Sequence, residues 1–194
     1  GNISHRLDML LRLVRLPARV LLLDYRGYGK SEGTPSEEGL YRDARAAWDW
    51  LTTVRGVSAK NVVIFGKSLG GAPACELALN VEAAGLIVQS SFTSVPDMAS
   101  RVLPLVPKFL VTTQMDSVNK VGQISCPKLF VHGPKDEVVP YSHGRKLFEA
   151  ACEPKEFLDV PDAGHNETYL VGGDAYLDRL RAFLDRCCDK ESHG

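Results

Sequence analysis

Apolar residues along this chain fall into two kinds of run. Short apolar-rich stretches occur at 20–23, 61–65 and 84–89, and residues 128–133 and 156–160 also read as strands. Runs of this kind predict strands buried on both faces, as in a parallel sheet, where polar alternation is lost. In longer stretches the apolar residues recur every three or four positions, which predicts helices. In residues 4–16 the recurring positions are Leu7, Leu10, Leu11 and Val14, and Pro17 ends the run. In the next they are Leu40, Ala44, Ala47, Trp48 and Leu51, with Thr34 as N-cap, Pro35 at the first helical position and Glu37 closing a capping box. At least one of Trp48 and Trp50 therefore belongs to the core. Residues 69–80 and 141–151 read as helices, as do residues 174–187, whose inward face is Tyr176, Leu177, Leu180, Phe183 and Leu184.

Strand and helix alternate along the chain. That order predicts an α/β fold with right-handed crossovers, a mostly parallel sheet and helices on both faces. Two connections are long. Residues 24–33 (DYRGYGKSEG) are glycine-rich and mixed in charge, and the charges are expected to hold the loop in shape. Residues 90–125 contain Pro96, Pro104 and Pro107, with helical turns expected at 95–102 and 108–115. We read about 91–125 as a small cover over the site within a single domain, 1–194.

The chemistry concentrates where the run at 61–65 ends. Gly66-Lys67-Ser68-Leu69-Gly70 fits G-x-S-x-G, a sharp strand-to-helix turn that exposes a serine at the carboxyl end of the sheet. Its glycines are expected to leave room for strained backbone and close strand-helix packing. A serine needs a histidine base and a carboxylate to orient that base, and here both would follow it in the chain. His193 lies in a tail, His5 and His143 fall on expected helix surfaces, and His132 ends a strand, where a satisfied structural role is expected. His165 lies on a post-strand loop beside a glycine and downstream of both Ser68 and Asp136. Asp162 is the rival carboxylate, but it sits three residues before His165 on the same loop, so Asp136 is preferred.

Composition narrows the classes. With 23 Lys plus Arg against 24 Asp plus Glu there is no net field to gather nucleic acid or anionic membrane. The five cysteines lack zinc-ligand spacing and are odd in number, which points to a reducing compartment and away from a disulfide framework. No apolar run approaches membrane-spanning length, and no targeting segment is recognisable.

These motifs resemble the α/β-hydrolase family, and more narrowly the Bem46-like serine hydrolases related to α/β-hydrolase domain-containing proteins 13 and 17. The segments that carry the resemblance are Gly1-Asn2-Ile3-Ser4-His5-Arg6, Asp24-Tyr25-Arg26-Gly27-Tyr28-Gly29, Gly66-Lys67-Ser68-Leu69-Gly70-Gly71, His132-Gly133-Pro134-Lys135-Asp136 and Gly164-His165-Asn166. The resemblance implies Ser68 as nucleophile, His165 as general base and then acid, and Asp136 as its orienter. It also implies the backbone N–H of Leu69 as one oxyanion donor, with no metal or cofactor. Members of the group carry a histidine-glycine-asparagine-alanine segment, which supplies a second oxyanion donor, just before the glycine-asparagine pair. Ahead of it come further strands and often a membrane anchor. A chain without them is expected to lack N-terminal strands and to leave a gap of roughly 9 to 10 Å between the runs at 20–23 and 61–65 unless these close up.

The expected activity is a serine hydrolase acting on a small acyl ester or an acylated thioester substrate. The alternatives are a catalytically impaired fragment or scaffold and a serine peptidase. The resemblance places the full-length protein in the cytoplasm or at a membrane, with membrane attachment only through an absent N-terminal segment.

Overall fold

A computed structural model of the chain describes residues 7–102 and 111–188. Its elements in chain order are α1 (Leu7–Leu13), α2 (Glu37–Asp49), β1 (Val63–Lys67), α3 (Gly71–Asn80), β2 (Gly85–Gln89), α4 (Val95–Val102), α5 (Val118–Val121), β3 (Lys128–His132), α6 (Tyr141–Ala150), β4 (Lys155–Asp159), α7 (Thr168–Val171) and α8 (Gly173–Cys187). The four strands form one sheet in the order β1-β2-β3-β4. All neighbours are parallel, with Phe65 beside Ile87, Ile87 beside Leu129 and Phe130 beside Phe157.

Helices cover both faces, because successive residues of a strand point to opposite sides and both sets here are apolar. On one face Ile87, Leu129 and Val131 pack against Met9, Leu13 and Leu16 and against Tyr176, Leu177, Leu180 and Phe183 of α8. On the other, Leu86, Val88 and Phe130 meet Ala74, Cys75 and Ala78 of α3, Val121 of α5 and Leu147 of α6. Lys128 is fully buried, and its ammonium is satisfied by the carbonyls of Ile124 and Cys126 at 2.6 and 2.8 Å.

Several expectations are corrected. Val20 to Leu23 form no strand; Val20, Leu21 and Leu23 are exposed, and no ladder reaches them. The reason is pairing: an apolar run becomes a strand only beside another strand, and among the described residues β1 pairs with β2 alone. The stripe of α1 is also different. Met9, Leu13 and Leu16 face the sheet, while Leu7, Leu11 and Val14 are more than half exposed. Both sides of this helix are apolar, so its period does not select the inward one.

The N-cap of α2 is Ser36, not Thr34, and its hydroxyl accepts the Gly39 N–H at 3.1 Å. Glu37 closes no capping box; its carboxylate accepts the backbone N–H groups of Gln114 and Met115 at 2.7 and 2.8 Å. It thereby ties the descending leg of the 91–125 segment to α2. Within that segment the helix at 95–102 is present, whereas 111–115 is not helical and the rest of the expected turn at 108–115 lies outside the described residues. Trp48 is buried and Trp50 exposed. In the 24–33 loop the Arg26 guanidinium and backbone N–H both bond Asp43 of α2, so a charge does shape that loop.

Candidate active site

Ser68 follows β1 directly and opens a short 3-10 turn, Ser68–Gly70, that leads into α3. Its φ is +54°, a left-handed value that costs a non-glycine residue of order 1 kcal/mol or more. Packing around the turn holds that strain. A Cβ on Gly66 would lie 2.5 Å from the Gly70 carbonyl oxygen and 2.6 Å from the Ala74 Cβ, so strand and helix meet where residue 66 has no side chain. The expectation for the second glycine is corrected. Gly70 has room for a Cβ, its nearest neighbour being the Tyr25 hydroxyl at 3.9 Å, whereas Gly71 is the tight position, 2.1 Å from Ser91 Oγ. Ser91 Oγ also donates to the Ser68 carbonyl oxygen at 2.8 Å, pinning the turn to the end of β2. Burial, with Asp43 nearby, pushes the Tyr25 hydroxyl up to about 12, so it faces the turn protonated.

Asp136 and His165 come from the loops after β3 and β4. His165 Nδ1 lies 2.8 Å from Asp136 Oδ2 and 3.0 Å from Oδ1, and its Nε2 lies 3.0 Å from Ser68 Oγ. Asp136 Oδ1 also accepts the backbone N–H groups of Val138 and Val139 at 3.0 and 2.7 Å. Burial pushes the Asp136 carboxyl up, but hydrogen bonds from His132, His165 and the Val139 N–H outweigh it and hold it well below the usual carboxylate range. An ionised Asp136 accepts a hydrogen bond from the His165 Nδ1–H, which leaves Nε2 free to accept from the Ser68 hydroxyl. The backbone N–H of His165 donates to Glu137 Oε2 at 3.3 Å.

Ser68, Asp136 and His165 are thus brought together. Asp162 is not part of the group: exposed, it pairs with Lys135 at 2.7 Å. His143, expected on a helix surface, is buried, and its Nδ1 accepts the Thr93 N–H at 3.2 Å. His132 is buried as a satisfied strand-end residue, but one of the groups it reaches is Asp136. Leu69, next to the serine, packs partly buried beside Leu40, Ala72 and Val139. A groove of about 360 Å³ lies elsewhere, lined by Ser94, Pro96, Asp97, Gln114, Asp116, Val118 and Asn119. Among the described residues no helix is long and apolar enough to cross a membrane.

The structure adds a contact for Gly71, a bond for Ser91 and a different role for Glu37, none of which the chain's pattern shows. Their roles depend on partners far away in sequence. The doubled glycine at 70–71 was the one available signal, and G-x-S-x-G reads only its first member.

A parallel sheet with helices on both faces, carrying a serine on the turn after one strand and an aspartate and a histidine on loops after later strands, defines the α/β-hydrolase fold. The family model described as alpha/beta hydrolase fold matches residues 9–114, and the chain belongs to that family. It is 35% identical to the alpha/beta hydrolase domain-containing protein WAV2 of Arabidopsis thaliana, covering 96% of this chain and 67% of that protein. To the human alpha/beta hydrolase domain-containing protein 17B it is 39% identical, over 89% of this chain and 58% of that protein. An uncharacterized Mycobacterium tuberculosis protein is 38% identical over 95% of this chain. The chain spans 66% of that relative's length. Among solved structures, an esterase from Pyrococcus furiosus superposes with a TM-score of 0.74 at 21% identity, covering 92% of this chain and 72% of that one. A monoacylglycerol lipase from Paleococcus ferrophilus gives 0.69 at 18%, covering 95% and 90%.

Proposed function

We propose that the protein is a serine hydrolase that cleaves carboxylic ester or thioester bonds of a small acyl substrate through an acyl-enzyme. The observation that carries this reading is the unbroken relay from Ser68 Oγ to His165 Nε2 at 3.0 Å and from His165 Nδ1 to Asp136 Oδ2 at 2.8 Å. Ester chemistry is favoured by the structural neighbours, an esterase and a monoacylglycerol lipase.

In this reading His165 takes the hydroxyl proton as Ser68 Oγ attacks the acyl carbon. The Leu69 N–H stabilises the oxyanion that develops, and His165 returns the proton to the departing alcohol or thiol. Water activated by the same imidazole then attacks the acyl-enzyme, and the acid leaves with Ser68 regenerated. Asp136 stays ionised throughout, fixing the Nδ1–H tautomer and stabilising the imidazolium. No cofactor enters any step. The described part of 91–125 is read as a cover within a single catalytic domain.

A fluorophosphonate probe tests the assignment. Wild type is expected to be labelled and Ser68→Ala is not; labelling that persists in Ser68→Ala removes Ser68 as nucleophile.

One observation favours a second reading, a scaffold of this family that does not turn over substrate. Among the described residues β1 carries no strand on its outer side, and 20–23 make no ladder. Hydrolysis of a p-nitrophenyl ester by the 194-residue chain, abolished in Ser68→Ala, decides for the enzyme.

A further inference from the structure

The carboxylate of Asp136 serves two imidazoles. His132, at the end of β3, places Nε2 3.2 Å from Asp136 Oδ2 and 2.9 Å from the Val139 carbonyl oxygen. A carbonyl only accepts, so the neutral ring carries its proton on Nε2, and that one N–H faces both oxygens. The Val138 and Val139 N–H groups both donate to Oδ1, and Oδ2, the oxygen nearer to His165 Nδ1, also faces His132.

The ring of His132 is held as if its position mattered. It is 1% exposed. A Cβ on Gly144, in the first turns of α6, would lie 2.4 Å from His132 Nδ1, so the helix approaches the ring where residue 144 has no side chain. Tyr141 packs edge-on at 5.8 Å between centroids. The Val139 carbonyl alone would satisfy the ring's one N–H; the added contact with Asp136 is what links His132 to the relay.

We infer that His132 is a positioning residue for the proposed relay: its Nε2–H holds Asp136 Oδ2 in line with His165 Nδ1 and draws negative charge out of the shared carboxylate. The inference rests on the serine-hydrolase reading for its meaning, but not for its test. The depressed carboxyl of Asp136, with His132 among its hydrogen-bond donors, agrees with it. Other charged or titratable groups around the pair are Tyr141 of α6 with Asp159 of β4 behind it, and Glu137 on the His165 N–H. Lys135 and Asp162 pair with each other at the exposed surface, and His143 of α6 contacts Thr93. Losing the His132 donor leaves more negative charge facing His165 Nδ1, which favours the imidazolium. The titration of His165 must then move to higher pH.

The test is a ¹⁵N-histidine NMR titration in a Ser68→Ala background, where no turnover is needed. His132 in that protein is expected to show the Nε2–H tautomer at neutral pH. His132→Phe is expected to raise the His165 midpoint by about 0.5 to 1 pH unit, a three- to tenfold gain in proton affinity. His132→Gln, which keeps an N–H at similar reach, is expected to stay within about 0.3 unit. An Nδ1–H tautomer of His132, an unmoved midpoint in a folded Phe variant, or equal shifts in Phe and Gln would each overturn the inference. Should the Phe variant not fold, the tautomer and the Gln midpoint decide. Failure of the serine reading appears elsewhere, as ester turnover or probe labelling that survives Ser68→Ala.

Discussion

Gly133 and Ala163 pack so closely that a Cβ on Gly133 would lie 2.2 Å from the Ala163 carbonyl oxygen. The same oxygen accepts the Lys135 N–H at 3.2 Å. Through this contact the loop carrying Asp136 lies against the loop carrying His165. Gly133→Ala must push the two apart. We expect a stability loss of about 1–3 kcal/mol and, because small misplacements cost catalysis heavily, at least about a tenfold fall in kcat. Urea unfolding and ester turnover measure both; a variant unchanged in each would show that the loops tolerate separation.

The glycines of the serine turn should not be equivalent. Gly66→Ala drives a methyl into the Gly70 carbonyl and Ala74, and a destabilisation of about 1–3 kcal/mol is expected. Gly70 has φ −63° and ψ −15°, ordinary helical values, and a Cβ there would make only an ordinary contact, with the Tyr25 hydroxyl at 3.9 Å. Gly70→Ala is therefore expected to be neutral or stabilising by up to about 1 kcal/mol in urea unfolding. A larger loss at residue 70 than at residue 66 would contradict this packing.

Asp136 links stability to pH. Its folded carboxyl lies below the ordinary value, so the folded state favours the ionised form. That contribution is fully present above about pH 4, the unfolded value, and is lost as pH falls from there through the lower folded value. The difference in urea midpoint between wild type and Asp136→Asn is expected to be largest near neutrality and to shrink as pH drops below about 4. A difference independent of pH would remove the linkage.

Glu37 holds the 111–117 leg by two backbone N–H groups, at Gln114 and Met115. Glu37→Ala is expected to speed amide exchange at those two positions by about fivefold or more, in line with about 1 kcal/mol for a partly solvated pair of charge-assisted bonds. Exchange in β2 and β3 should not change.

Much of this fold could be read from residue order because the two central strands, β2 and β3, are buried along their whole length, and short apolar-rich runs are what such strands require, whereas β1 and β4 at the margins are only half-buried. The same rule fails at 20–23, where the run is equally apolar but no ladder receives it. In α1 the period was visible and the inward side was not, since Leu7 and Leu11 are as apolar as Met9 and Leu13. The grouping of Ser68, Asp136 and His165 was legible from their order and from the loops that carry them. The contacts of Gly71 with Ser91, and of His132 with Asp136, were not: each depends on how two loops close in space, which no local spacing encodes.

Among the described residues the strand that ends at Ser68 lies at the margin of the sheet, bonded on one flank only. Its hold on the turn comes instead from α3 through Gly66 and from Ser91 beneath the serine carbonyl. Outer strands fray before inner ones, because fewer bonds must break to release them. On warming, the hydroxyl should therefore drift out of reach of its imidazole while β2 and β3 remain intact, and function should fade at a lower temperature than the one at which the molecule melts.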